Sequence, residues 1–123
     1  MKLGIIGAGK IVSEFLSIQH VIQEITVVAL CGKPRHQSIL QTYQNTYDID
    51  QIFFDYDELL MSDVDAIYVA LPNNLHYEYT KKGLLAGKNM IVEKPFTSNY
   101  REALELVSLA KEKRRFLFEA ISN

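Results

Sequence analysis

The first residues able to do chemistry are Gly7-Ala8-Gly9-Lys10-Ile11-Val12, a glycine-rich turn between the short apolar run Leu3 to Ile6 and residues at helical spacing. In that context a turn of this kind holds the phosphates of a dinucleotide. Gly7 permits the tight turn, and Gly9 leaves no Cβ between the backbone and a pyrophosphate. A helix starting at Lys10 aims its unpaired N–H groups and the positive end of its dipole at the same place. The expected phosphate segment is therefore Gly7, Ala8, Gly9, Lys10 and Ile11. Val12 stands where the usual fingerprint has a third glycine; that position governs helix-to-strand packing, so slightly wider packing is expected rather than lost binding. The plainer reading, an ordinary strand-to-helix turn, is disfavoured because strand, loop and helix are all in register.

At the end of the second apolar run the sequence reads Cys31-Gly32-Lys33-Pro34-Arg35. Folds that bind NAD carry an Asp or Glu there to accept from the adenosine ribose, and this segment has none. Lys33 and Arg35 instead offer two cations to a 2′-phosphate, with Gly32 allowing close approach. The expected cofactor is NADP, with NAD as the alternative. Solvated charges at a helix start would be the plain explanation, but cations oppose the dipole at that end. His36 is a candidate assistant or an incidental surface histidine.

Two further strand ends, Ala70-Leu71-Pro72-Asn73-Asn74-Leu75-His76 and Glu93-Lys94-Pro95, fall at the carboxyl edge of a parallel sheet, where ligands bind. They should share one crevice with the glycine loop. Taken in order with Gly7-Ala8-Gly9-Lys10-Ile11, these segments resemble the Gfo/Idh/MocA oxidoreductases, relatives of glucose–fructose oxidoreductase and inositol dehydrogenase. The likeness extends to Phe118-Glu119-Ala120.

The resemblance implies hydride transfer between a nicotinamide dinucleotide and a sugar- or polyol-like substrate. It implies that Glu93-Lys94-Pro95 is the family's signature turn, with Lys94 as the catalytic residue near the nicotinamide ribose and substrate hydroxyl. An ammonium there can donate to the reacting oxygen and favour a developing alkoxide. It also implies that Leu71, Pro72 and Asn73 line the pyrophosphate and nicotinamide side, with His76 one helical turn in. On the residues alone His76 reads equally as half-buried packing, Asn73 or Asn74 as a helix N-cap, and Glu93 as the partner of Lys94 or an arginine. Members of the family continue into a second α/β domain that walls the substrate and supplies a catalytic histidine; this chain is expected to carry the cofactor half alone and to bind without turnover. A free-standing NAD(P)-binding regulatory module is the alternative.

The elements that must position these residues follow from patterning. Leu3 to Ile6, Ile25 to Cys31, Ile52 to Phe54, Ala66 to Leu71, Met90 to Val92 and Phe116 to Phe118 are continuous apolar runs, as strands buried on both faces should be. Between them Ile11/Phe15/Ile18/Ile22, Ile39/Tyr43/Tyr47 and Ala103/Val107/Ala110 recur at helical spacing and are expected to be core stripes. Pro34 suits a helix start, and Asn99 with Glu102 approximates a capping box. The predicted fold is a doubly wound parallel α/β sheet of Rossmann type, six strands in the order 3-2-1-4-5-6, one dinucleotide-binding domain over residues 1–123.

Composition limits the partners. With 13 Lys and Arg against 15 Asp and Glu, the net charge of −2 gives no general attraction for nucleic acid or an anionic membrane. No apolar run reaches the roughly 18 residues of a bilayer span, and no metal-ligand cluster stands out. The single Cys31 sits in an apolar run, as a small core residue of a reduced cytoplasmic protein would. The chain reaches Ile121-Ser122-Asn123 directly after its sixth strand, and an uncovered strand is expected to favour a homo-oligomer.

Overall fold

Six short strands pair side by side, all in parallel: β1 (Lys2–Ile6), β2 (Thr26–Cys31), β3 (Gln51–Phe53), β4 (Ala66–Val69), β5 (Asn89–Glu93) and β6 (Leu117–Ala120). The structure is a computed structural model and describes residues 1–93 and 99–120. The strand order β3-β2-β1-β4-β5-β6 is the one expected, and it reverses between β1 and β4. At that point the connections on either side of β1 diverge and open a crevice at the carboxyl edge. The central strands bury every residue from Leu3 to Ile6 and from Ala66 to Val69, which is why they read as unbroken apolar runs. The fourth strand ends two residues before the expected Leu71, because the chain must leave the ladder to reach Pro72, which has no N–H to pair.

Among the described residues five helices cover the two faces: α1 (Lys10–Ile18), α2 (Gln37–Tyr47), α3 (Tyr56–Met61), α4 (His76–Leu85) and α5 (Tyr100–Lys113). Val12 and Leu16 of α1 with Leu40 and Tyr43 of α2 pack against one face. Leu59 of α3, Leu84 of α4 and Leu106 and Ala110 of α5 pack against the other.

The helix stripes differ from expectation in which row faces inward. Ile18 and Val107 are more than half exposed, Ile39 is exposed, and Ile22 lies beyond the end of α1. Of the expected stripes Tyr43 and Ala110 are buried and Ile11, Phe15 and Tyr47 pack half-buried against the core, while the fully covered rows add Val12/Leu16, Leu40 and Leu106. Each helix carries two adjacent apolar rows about 100° apart, and periodicity alone does not say which one meets the sheet. Helix α3 was not foreseen from the sequence. Only six residues long, it relies on Asp55, whose Oδ1 accepts from the Asp57 N–H at 3.2 Å, and on the buried pair Tyr56 and Leu59.

Candidate functional site

Three strand ends leave the sheet at one level, held by bonds one residue past each strand. Gly7 N–H donates to the Cys31 carbonyl (2.9 Å), Ala70 N–H to that of Ile6 (2.9 Å) and Gly32 N–H to that of Phe53 (3.1 Å). Gly7 has φ +134°, and a Cβ there would lie 2.3 Å from the Ala70 carbonyl oxygen, so no other residue fits. Gly9 is different. Its φ of −83° and ψ of −167° suit any residue, and a Cβ would meet nothing within 4 Å. The fold has no need of a glycine at that point; the open space above it is what a closely approaching ligand requires.

Gly9 caps α1, and its carbonyl accepts from the Val12 and Ser13 N–H groups at 3.1 and 3.4 Å. The earlier N–H groups of Lys10 and Ile11 have no intrahelical acceptor, and no acidic residue stands in the first turn to neutralise them. Lys10 is exposed, 3.7 Å from Glu14 across one helical turn. Val12, in the third-glycine position, is fully buried against the sheet.

Around this point lies a crevice of about 500 Å³. It brings together the predicted Gly7, Ala8, Gly9, Gly32, Lys33, Arg35, Leu71 and Pro72. It also takes in Phe54, Tyr56, Leu75 and Tyr79, which the sequence reading missed. A signal existed: Phe54 follows β3 as Gly32 follows β2, and Leu75 and Tyr79 are spaced i, i+4. A second hollow of about 420 Å³ lies at the opposite end of the sheet beside Tyr47 and Asp48, away from the converging loops.

One end of the crevice is cationic. Lys33 precedes a single 3₁₀ turn, Pro34–His36, and both Lys33 and Arg35 are exposed. None of the described residues lining the crevice is a carboxylate. The Lys33 N–H donates to His36 Nδ1 at 3.4 Å and Arg35 Nε to His36 Nε2 at 3.5 Å. Both contacts lie at the long limit of a hydrogen bond, so they hold the exposed Arg35 head only weakly. Gly32 has a second use, since a Cβ would come within 2.9 Å of Leu40 Cδ1 on α2.

Beneath the crevice the polar groups are neutral. Tyr56 hydroxyl donates to the Tyr79 carbonyl at 2.8 Å, and the two rings lie 4.7 Å apart. Burial, with Asp55 and Glu58 adding to it, pushes the Cys31 thiol up to about 12, so it is a protonated packing group and not a nucleophile.

Beyond β4 the chain makes a 3₁₀ turn, Asn73–Leu75, and enters α4. Asn73 and Asn74 are exposed, and neither turn nor helix has a side-chain cap, so the capping alternative does not hold. His76 is fully buried, its Nε2 2.6 Å from the Leu71 carbonyl oxygen. It ties the start of α4 to the turn that shapes the crevice and presents no surface to a ligand, which is the packing alternative taken further than half burial. It shares the buried face of α4 with Thr80 and Leu84. At the end of β5 the described partner of Glu93 is neither lysine nor arginine: the Tyr68 hydroxyl donates to its Oε1. Lys94 and Pro95 lie outside the described residues.

A family model described as oxidoreductase family, NAD-binding Rossmann fold, matches residues 1–120. The chain belongs to the Gfo/Idh/MocA family. It is 32% identical over 135 residues to the D-xylose 1-dehydrogenase (NADP(+)) of Hypocrea jecorina, covering 98% of this chain and 34% of that protein. It is 31% identical over 122 residues to the scyllo-inositol 2-dehydrogenase (NADP(+)) of Bacillus subtilis, covering 98% of this chain and 37% of that one. Among solved structures, a 3-ketoreductase from Actinomadura kijaniata in complex with NADP and TDP-benzene superposes with a TM-score of 0.88. Its identity is 30%, over 97% of this chain and 36% of that chain. The chain thus spans about a third of the length of the relatives it matches. Among the described residues no helix is long and apolar enough to cross a membrane.

Proposed function

We propose that this chain binds NADP(H) in preference to NAD(H), as the cofactor-holding part of an oxidoreductase acting on a sugar- or polyol-like alcohol. The observation that carries the reading is the crevice itself: open space over Gly9 at the head of α1, with Lys33 and Arg35 but, among the described residues, no carboxylate in its lining. Backbone from Gly7 to Gly9 and the N–H groups of Lys10 and Ile11 hold the pyrophosphate. Lys33 and Arg35 meet the 2′-phosphate, and Phe54, Leu71, Leu75 and Tyr79 give the adenine an apolar bed. Pro72, Asn73, Glu93, Lys94 and Pro95 belong to the nicotinamide half by the family's pattern. When bound, the nicotinamide supplies or accepts the hydride. The Lys94 ammonium donates to the substrate oxygen and favours its alkoxide form. The buried free thiol of Cys31 fits a reducing, cytoplasmic setting.

Titrating the chain with NADPH and NADH at two ionic strengths tests this. NADPH should bind about tenfold tighter or better, as a charge-assisted phosphate contact implies. The preference should shrink at high salt because the cations are exposed. Lys33→Asp should move the preference toward NADH. Equal affinity, or tighter NADH, overturns the proposal.

A further inference from the structure

We propose that Tyr68 is a positioning residue that holds the Glu93 carboxylate for the nicotinamide half of the crevice, an inference that rests on the dinucleotide reading above. With the cations at the β2 end and the glycine loop on β1, strand order leaves β4 and β5 to the nicotinamide. Tyr68 pairs with Ile91 in the β4–β5 register, so its side chain reaches two residues along β5, toward the carboxyl edge, to meet Glu93. The ring is buried, 5% exposed, and stands edge-on to Phe15 of α1, centroids 5.0 Å apart at 77°. One side chain therefore joins the helix that carries the glycine loop to the last residue before Lys94.

Packing alone does not require the hydroxyl. A phenylalanine would make the same edge contact with Phe15, whereas the described partner of the hydroxyl is Glu93. Glu93 is half-buried, and the phenol supplies its side chain with a hydrogen bond from a strong donor. Burial and the carboxylate both push the Tyr68 phenol up, so it stays the donor across the pH range of any dehydrogenase assay.

The test compares NADPH with 2′-phospho-ADP-ribose, which lacks the nicotinamide, on the wild-type chain and on Tyr68→Phe. The expected result is NADPH bound about tenfold more weakly by the variant, with 2′-phospho-ADP-ribose unchanged within about twofold. In a Glu93→Ala background, Tyr68→Phe should add no further loss, because the hydroxyl then has nothing to hold. A general weakening of the fold would lower both affinities together, and that outcome overturns the proposal, as does unchanged NADPH binding in Tyr68→Phe. If the wild-type chain binds neither ligand, the dinucleotide reading itself falls. If it binds both and only the variant's selectivity fails to appear, Tyr68 alone is misassigned.

Discussion

Gly7 and Gly9 stand two residues apart and are glycine for different reasons, and substitution separates them. Gly7→Ala forces a Cβ against the Ala70 carbonyl at φ +134° and should cost about 2–4 kcal/mol of stability, read from urea unfolding. Gly9→Ala meets nothing, so stability should change by less than about 0.5 kcal/mol while NADPH affinity falls tenfold or more. Unimpaired binding by Gly9→Ala would place the pyrophosphate elsewhere. At this scale the glycines and the two cations were legible because each depends on local backbone or charge. Phe54 and Tyr79 were not, since the crevice reaches them only when β3 pairs with β2 and α4 packs against β4. The buried hydroxyls and thiol also set an alkaline limit. Cys31 is raised from 9.0 to about 12, and burial raises Tyr56 and Tyr68 above 10.0. Above pH 9 the unfolded chain releases protons that the fold retains, so stability is full below that pH and declines as it rises, by about 1.4 kcal/mol per pH unit for each group in play. Unfolding midpoints from pH 7 to 11 should show this. Cys31→Ala, less stable at pH 7, should lose less than wild type between pH 9 and 10.

At the scale of elements, existence was easier to read than orientation. Strands β1, β2, β4 and β5 stand out because a strand covered on both faces has no polar side to interrupt it. Helix α5 shows the limit: Asn99 Oδ1 accepts from the Glu102 N–H at 3.1 Å, so the start foreseen from Asn99 and Glu102 holds. Yet of the expected core row only Ala110 is fully buried, and Val107 is half exposed beside the buried Leu106. Which row turns inward depends on where α4 sits, and α4 is fixed to α5 by Tyr77 and Lys81 on Glu105. Paired substitutions decide between the rows. Leu106→Ala should destabilise by about 2–5 kcal/mol and Val107→Ala by less than about 0.5, measured by denaturant unfolding. The reverse ranking would mean that α5 is rotated by one residue. Helix α3 was illegible for a different reason: two buried residues in six make no periodic signal, and its cap at Asp55 reads like any turn.

At the scale of the molecule, the sheet gathers the crevice along its carboxyl edge and, among the described residues, ends on β6. Phe116 and Phe118 are 43% and 58% exposed, and Tyr100, Leu104 and Val107 form an apolar stripe along α5. The 123-residue chain should therefore self-associate, and sedimentation showing a clean monomer at high concentration would refute that. A further prediction is that these 123 residues by themselves bind cofactor without turning it over. Hydride transfer to or from an alcohol needs the nicotinamide, a substrate fixed against its ring, and a group that moves the hydroxyl proton in the same event. The chain's three histidines are all placed elsewhere: His76 is buried under the β4 turn, His36 is at the cationic end, and His20 lies past α1 beside the far hollow. On the proposal above Lys94 polarises a hydroxyl, but among the described residues none forms an opposite wall to hold a sugar. Losing that positioning costs on the order of 7–11 kcal/mol of barrier, and losing the proton-transfer group roughly another 10²–10⁴ in rate. Incubating the purified chain with NADP and NAD across polyols and aldoses should give no change in reduced-cofactor absorbance, although titration detects binding. Turnover that survives repurification and disappears in Lys94→Ala would show that these residues are a complete catalyst, with a proton-transfer group at the β4–β5 end other than histidine.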